Sequence, residues 1–371
     1  MSKKSIQTRE THILDLFTGI GGFSLAMKTV SSAKMIGYCD NDARAKCVLT
    51  KHIREGTLDD APIYEDVSLL RRDMIKTHVD VICAGSPCQD FSVLGVQKGI
   101  FGKRSVLIFE VLRLVQELKP KMVFLENSPQ IVENGLDIVV KILNRLGYQT
   151  YFEKISAAQV GAHHLRKRFF MVAYLATARG LAKRMCQDIG RILQDKEHFL
   201  FWERYPIKTT YPVEMRMLPK TSTTLGDVQR RMHLLGNALV PQMGVYALYK
   251  LAAHVGGIKN ISIPYISDDV GRSAIHHEYT MEIIKEGYIE NEKVKIGDRF
   301  IRHRYSTPVA GCWSMSKIGS RRSVGMLTNE VLYDREMLKW LGETGRKHIL
   351  KWVINPNFIE YLMGFPKDWT K

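Results

Sequence analysis

The chain lacks the features that mark several common protein classes. Its six cysteines, at 39, 47, 83, 88, 186 and 312, form no CxxC pair and none has the Cys/His spacing of a zinc site. Free thiols in a reducing compartment are therefore expected, and a metal centre is not. No apolar run approaches the roughly 18 residues of a membrane span, and Met1 to Glu10 has no hydrophobic stretch of the kind a secretory leader needs. The expectation is a cytoplasmic protein without a membrane partner. There is no internal repeat and no low-complexity tract. Acidic residues are missing from one stretch, Arg299 to Thr328. Over all 371 residues, 54 Lys and Arg stand against 38 Asp and Glu, a formal charge of +16. That surplus fits a generally basic surface as well as a polyanionic partner such as nucleic acid.

An apolar fraction of 45% suits a large packed core. From His12 to Tyr174, short apolar runs alternate with amphipathic stretches, which predicts a doubly wound, mostly parallel α/β sheet of Rossmann-like type. The predicted strands are His12 to Phe17, Met35 to Cys39, Val79 to Ala84, Lys121 to Glu126, Thr150 to Ile155 and Arg168 to Tyr174. The predicted helices are Gly22 to Thr29, Asp42 to His52, Ser105 to Leu118 and Pro129 to Leu146. Beyond Leu175 comes a basic, helix-like stretch to Gln194, then an irregular aromatic segment from Glu197 to Pro219. Regular apolar spacing returns in Val228 to His254. This divides the chain into one domain of residues 11–175 with 226–257, an insertion at 176–225, and a C-terminal region at 258–371.

Four predicted strand ends carry polar residues of chemical interest. Asp15-Leu-Phe17-Thr-Gly19-Ile-Gly21-Gly22 enters a helix; such glycines fit an ordinary tight turn, or close backbone approach to a ligand. Asp40 stands at the end of the next strand, where a carboxylate can accept ribose hydroxyls. Gly85-Ser-Pro87-Cys88-Gln-Asp follows the third strand. A lone cysteine is often a small buried hydrophobe, but on a polar, turn-forming loop at the carboxyl end of a sheet it can be an exposed nucleophile. Cys83 falls inside the strand and reads as core. Glu126 ends the fourth strand, with Ser128 and Pro129 resembling the cap and first position of a helix. Arg166 and Arg168, two apart, would face one way in an extended chain and could meet an anion or a carbonyl oxygen, or form a solvated basic edge.

Taken in order, these pieces resemble the cytosine-5 DNA methyltransferase family. The resemblance rests on the DLFxGxGG turn, the PCQ loop running into Gly102-Lys-Arg-Ser105, Glu126-Asn127, the paired arginines, and Leu235-Gly-Asn237-Ala-Leu-Val-Pro241. It covers about Thr11 to Tyr174 and Gly226 to His254. It implies S-adenosyl-L-methionine as cofactor, double-stranded DNA as substrate and a target cytosine rotated out of the duplex. In that scheme Cys88 attacks C6, Glu126 serves ring N3, Arg168 with Arg166 behind it positions the base, and Asn127 steadies the Pro-Cys loop. The resemblance further assigns Phe17, Gly19, Gly21, Gly22, Asp40, Asp66, Pro87 and Asn237 to the cofactor, with Phe17 against the adenine and Asp66 at its amino group. Three positions depart from the family pattern: Ser128 replaces a usual valine, and His163-His164 replaces Pro-Gln.

In many family members the target-recognition region lies between the arginines and the Gly-Asn motif. Here that interval is short, and over a hundred residues follow the motif. Arg302, Arg304, Arg321 and Arg322, in company with Tyr305 and Trp313, would suit DNA phosphates, though a solvated basic loop has the same composition. The closing segment Asn355 to Trp369 resembles one seen in phage and bacterial members, which implies a restriction-modification or phage setting, in a bacterium or a virus-infected host. The expected assembly is a monomer. Three rival readings are an RNA cytosine-5 methyltransferase, a catalytically silent DNA-binding regulator and a nicotinamide-dependent dehydrogenase. The sequence has no Cys-Phe-Thr tripeptide for the first, keeps Cys88 and Glu126 against the second, and carries a Pro-Cys-Gln loop without use in the third.

Overall fold

Each apolar run between His12 and Tyr174 becomes a strand of one seven-stranded sheet in the computed structural model, which describes residues 10–87, 107–194, 201, 210, 215–219, 221–259, 293–296, 299–302 and 352–371. The strands are β1 (Thr11–Leu16), β2 (Ala33–Cys39), β3 (Ile63–Tyr64), β4 (Val81–Gly85), β5 (Met122–Asn127), β6 (Gln149–Ile155) and β7 (Arg168–Tyr174), in the order β3-β2-β1-β4-β5-β7-β6. Pairings among β3, β2, β1, β4 and β5 are parallel, whereas β7 runs antiparallel to β5. The expected α/β class and mostly parallel sheet are therefore present. Central strands such as β4, Val-Ile-Cys-Ala, are apolar on both faces because helices cover both faces of the sheet.

Four helices follow the strands as expected: α1 (Gly22–Met27), α2 (Ala43–Arg54), α3 (Leu107–Leu118) and α4 (Leu136–Arg145). Asp42 caps α2 by accepting from the Arg44 amide at 2.9 Å. The single helix expected from Pro129 to Leu146 is broken instead. Pro129–Val132 forms a 3-10 turn, and Gly135, at φ +136°, separates it from α4. Ser128 occupies the cap position without a side-chain bond to the turn's amides; its hydroxyl meets the Gln130 side chain.

The chain forms two compact units. The first comprises residues 1–154, 168–192 and 244–260 and contains nearly all of the sheet. Its core joins Leu14 and Leu16 of β1, Ile82 of β4, Val123 of β5 and Met171 of β7 to Val111, Leu114 and Val115 of α3. The basic stretch after Leu175 is the helix α5 (Arg179–Gln194). Within this unit Asp188 of α5 accepts from the Ser31 amide and hydroxyl, at 3.1 and 2.7 Å.

The second unit comprises residues 155–167, 193–243 and 261–371, so it cuts across the boundaries expected from the sequence. Its described residues include α6 (Ser222–Asn237), the start of α7 (Pro241–Gly256) and the strands β8 (Met217–Pro219), β9 (Lys293–Ile296), β10 (Arg299–Arg302) and β11 (Trp352–Ile354). Strand β11 pairs antiparallel with β8, and β9 pairs with β10. The final helix α8 (Pro356–Leu362) packs on α6.

A charged cluster fixes that packing. Arg231 of α6, 4% exposed in its side chain, donates to Glu360 Oε1 of α8, which is fully buried, at 2.6 Å. Arg231 Nε also reaches Thr370 Oγ1 at 2.8 Å, and the Thr370 amide donates to Glu360 Oε1 at 2.8 Å. Removing Glu360 leaves the buried guanidinium with Asp227, at 3.4 Å and partly exposed, as its carboxylate, a loss of up to about 3–5 kcal/mol, whereas replacing both by apolar groups of similar volume is far milder. Glu360→Ala should therefore lower the denaturant midpoint sharply, and Arg231→Met with Glu360→Leu should recover most of the loss; equal losses in the two variants would disprove the role given to the pair.

Candidate active site

The parallel strands β1 to β5 deliver their carboxyl ends to one edge of the sheet, and the glycine turn after β1 begins there. Phe17 follows β1 in left-handed backbone, at φ +54°, and its ring is half-buried. A β-carbon-bearing residue is strained there by on the order of 1 kcal/mol. The Thr18 amide donates to the Cys39 carbonyl at 3.0 Å, and Thr18 Oγ1 accepts from the Cys39 amide at 3.1 Å, which stitches this turn to the end of β2. Gly19, at φ +56°, has nothing within 4 Å of where a β-carbon would lie, so the backbone is open to a ligand. Gly21 precedes α1 in the left-handed region at φ +88°, and Gly22 is the first, buried residue of that helix.

Three carboxylates gather beneath and beside this turn. Asp40 accepts from the Gly19 amide through Oδ2 at 2.7 Å and from the Asp42 amide through Oδ1 at 2.9 Å. Burial raises its pKa against those bonds, and each oxygen retains a lone pair for a further donor. Asp66 leaves β3 at the same edge, since β3 is parallel to β2. Its Oδ1 accepts from the Ser68 amide and hydroxyl at 2.8 and 2.7 Å, and these bonds hold its carboxyl below the usual range. Asp15, in the middle of the sheet, is wholly buried. Its Oδ2 accepts from Ser24 Oγ of α1 at 2.5 Å, while Oδ1 has no hydrogen-bond partner among the described residues. Desolvation pushes this carboxyl up to about 7.

The other half of the edge is built by β4, β5 and β7. Asn127, buried at the end of β5, donates to the Ser86 carbonyl and Oγ at 3.2 and 3.0 Å and accepts from the Ser128 amide at 2.8 Å. It thus holds the chain just before Pro87. Cys88 and Gly102 to Ser105 lie outside the described residues. Cys83 is buried in β4, and desolvation holds its thiol well above the ordinary range, as expected for a core residue. Glu126 pairs in register with Gly85, and a β-carbon at Gly85 would lie 3.3 Å from Glu126 Oε2. Because β7 is antiparallel to β5, its first residue arrives beside the last residues of β5. Arg168 Nε thereby lies 3.0 Å from Glu126 Oε1, with both side chains largely buried.

Arg166 does something different from Arg168. It precedes β7 and has φ +33°, so the alternation of an extended chain does not apply. The side chain is buried in the second unit, where Nη2 donates to the Gly236 carbonyl at 3.0 Å and the Ala238 carbonyl at 2.5 Å. These carbonyls bracket Asn237, whose own side chain is exposed. The two histidines before the arginines are also in use. His164, fully buried, donates through Nε2 to the Leu362 carbonyl at 2.8 Å, and His163 stacks on Tyr361. Arg302 ends β10, and Arg304, Arg321 and Arg322 lie outside the described residues. Among the described residues no group of His, Cys, Asp and Glu could hold a metal ion, and no helix is long and apolar enough to cross a membrane. Sequence reasoning quoted Asp15 and Ser86 within their motifs but gave neither a role; a buried aspartate and a serine before Pro-Cys carry no spacing signal of their own.

The sequence model of the C-5 cytosine-specific DNA methylase family matches residues 11–371. The chain belongs to that family. It is 36% identical over 161 residues to the Type II methyltransferase M.CviJI of Paramecium bursaria Chlorella virus IL3A, a match covering 43% of this chain and 42% of the relative. It is 32% identical over 175 residues to the Type II methyltransferase M.HhaI of Haemophilus parahaemolyticus, covering 46% and 51%. The chain thus spans about half the length, or less, of these curated relatives. Among solved structures, the Entamoeba histolytica methyltransferase EhMeth is 21% identical, with a TM-score of 0.39 over 45% of this chain and 53% of that one.

The state of Asp15 gives a pH test. Its pKa is raised from 3.8 to about 7 by folding, so its protonated form is favoured in the native protein. The stability associated with that proton is fully present below pH 3.8 and lost as pH rises through 7. Asp15→Asn, which needs no proton, should match the wild type near pH 4 and exceed it increasingly toward pH 7. The gap widens by up to about 1.4 kcal/mol per pH unit. Urea denaturation across that range checks this, and parallel stability profiles for the two proteins would refute it.

Proposed function

We propose that the protein is an S-adenosyl-L-methionine-dependent DNA (cytosine-5) methyltransferase that works on double-stranded DNA through a covalent adduct at Cys88. The observation that carries this reading is the Glu126–Arg168 pair on the same sheet edge as the glycine turn and Asp40, in a chain belonging to the C-5 cytosine-specific DNA methylase family. The residues at the turn fit an adenosyl cofactor. Gly19 is open where a side chain would block it, Phe17 offers a half-buried ring to adenine, Asp40 keeps acceptor capacity for ribose, and Asp66 Oδ2 can take the adenine amino group. Gly21 and Gly22 shape this turn, and Pro87 and Asn237 complete the cofactor set by family resemblance. When bound, S-adenosylmethionine supplies an electrophilic methyl group.

The chemistry assigned to the chain's own residues addresses the poor reactivity of cytosine. The Cys88 thiolate forms a bond to C6 while Glu126 gives a proton to N3, which moves electron density onto C5. After C5 has gained the methyl group, loss of its proton expels the Cys88 sulfur from C6, and N3 returns its proton to Glu126. Arg168, held against Glu126, is placed to hold the base while positioning the carboxyl. Arg166 supports Asn237 from behind through the Gly236 and Ala238 carbonyls. The basic region after residue 258, with Arg302, Arg304, Arg321 and Arg322, is assigned to DNA recognition together with residues 176–225. We assign the protein to the cytoplasm of a bacterium or of a virus-infected host, acting as a monomer.

Bisulfite sequencing of DNA from cells expressing the protein should reveal 5-methylcytosine at a fixed sequence, with none when Cys88→Ser is expressed. Purified Glu126→Gln should methylate roughly 10²–10⁴-fold more slowly and should trap poorly on DNA containing 5-fluorocytosine, whose fluorine blocks elimination. Full activity in Cys88→Ser would eliminate the mechanism. Separately, Arg321→Ala with Arg322→Ala should weaken DNA binding and flatten its salt dependence, as expected when about two phosphate contacts are removed; an unchanged salt slope would rule those arginines out as phosphate ligands.

A further inference from the structure

Arg113 of α3 has no part in the chemistry above, yet its guanidinium reaches far from its own helix. Nε donates to Glu110 Oε2 at 2.8 Å and Nη1 to Glu117 Oε1 at 2.6 Å, one turn before and one turn after on the same face. Nη2 donates to the carbonyls of Val67 and Leu70, both at 3.0 Å, 46 and 43 residues earlier in the chain. The two carboxylates hold the planar group in one orientation, and that plane presents its remaining donors to the two carbonyls.

The segment so gripped is the turn headed by Asp66. The Leu69 and Leu70 amides donate to the Asp66 carbonyl at 3.1 and 3.2 Å, and both Ser68 bonds fall on Oδ1. Oδ2 carries no hydrogen bond among the described residues. Asp66 is only partly buried, and the strand before it, β3, has two residues and pairs with β2 alone. So short a strand adds little to the anchoring that Val67 and Leu70 supply through their buried side chains. The Arg113 grip adds a fastening of the backbone itself, tying the two carbonyls to a long, well-packed helix.

We propose that Arg113 is a positioning residue for cofactor recognition: by clamping the Val67 and Leu70 carbonyls it fixes Asp66 Oδ2 at the place where the exocyclic amino group of adenine donates. This rests on the reading of Asp66 given above. A carboxylate on a loose turn would still attract the amino group but would lose orientational freedom on binding, so its selectivity for that group falls.

The test uses the full-length protein and isothermal titration with two ligands, S-adenosylhomocysteine and its analogue with purine in place of adenine, which lacks only the amino group. The wild type should prefer the amino-bearing ligand by about tenfold or more, as for a site built around one hydrogen bond to a charged acceptor. In Arg113→Met the preference should fall below about threefold, with affinity for the purine analogue nearly unchanged. Arg113→Lys should not restore it, because an ammonium cannot reproduce the planar fork. If Arg113→Met fails to fold, Arg113→Lys carries the same comparison. A variant that is less stable, or weaker toward both ligands equally, while keeping the wild-type preference would overturn the inference and leave Asp66 in place. A wild type without any preference would remove the Asp66 reading and the inference with it.

Discussion

The direction of β7 is the constraint on which the Glu126–Arg168 half of the site depends. In a wholly parallel sheet the first residue of a strand lies at the edge away from the ligand, and Arg168 would be a strand length from Glu126. Reversal of β7 against β5 brings its start to the carboxyl edge, pairing Phe169 with Asn127 and Phe170 with Glu126. The ion pair follows from that one pairing, whereas the close approach of Gly85 to Glu126 Oε2 and the Asn127 bond to Ser86 come from the parallel pairing of β4 with β5. The connection that permits the reversal, residues 156–167, leaves the sheet and clusters with the second unit. It therefore carries Arg166 to a task distinct from that of its near neighbour.

Much of this was legible in the sequence because the chemistry sits at strand ends. Long apolar runs announce strands, and where a run stops, the next polar residue lies on the edge: Asp40 stands out in this way, whereas Phe17, Pro87 and Glu126 were singled out by the family resemblance, and the strand limits agree to within about two residues. What was hidden has specific physical causes. Strand β3 has only two residues, too few for any period to register. The polarity of β7 leaves no trace in an apolar run, which reads alike in both directions. The twist at Arg166 depends on a left-handed φ that no local residue type signals. The break at Gly135 could have been suspected from Asn134-Gly135, a common turn pair.

The ends of the C-terminal region were opaque for a different reason. Composition separates residues 258–371 from what precedes them, but composition cannot say where a segment packs. Asn355 to Thr370 turn out to be core material for α6: Phe358, Ile359, Leu362 and Phe365 are buried, Arg231 meets Glu360, and Gln242 donates to the Gly364 carbonyl at 3.0 Å. The histidines that depart from the family pattern belong to the same arrangement, since His163 and His164 both contact the end of α8. Read singly they are substitutions; read with Tyr361 and Leu362 they are the other half of a contact.

The Arg231–Glu360 cluster also bears on how the chain is made. Its two charges are 129 residues apart, and translation proceeds at about 5–20 residues per second. A helix that can form as soon as it leaves the ribosome has Asp227 beside the guanidinium, at 3.4 Å and partly exposed, but must wait on the order of ten seconds for the buried carboxylate of Glu360. During that interval the inward side of the guanidinium lacks Glu360 and Thr370, and the apolar face around it cannot close. The sheet, whose strands are complete by Tyr174, has no such wait. Biogenesis should therefore proceed in two separate stages, with the sheet ready first and the second unit exposed to chaperones and proteases until Glu360 and Thr370 have been added.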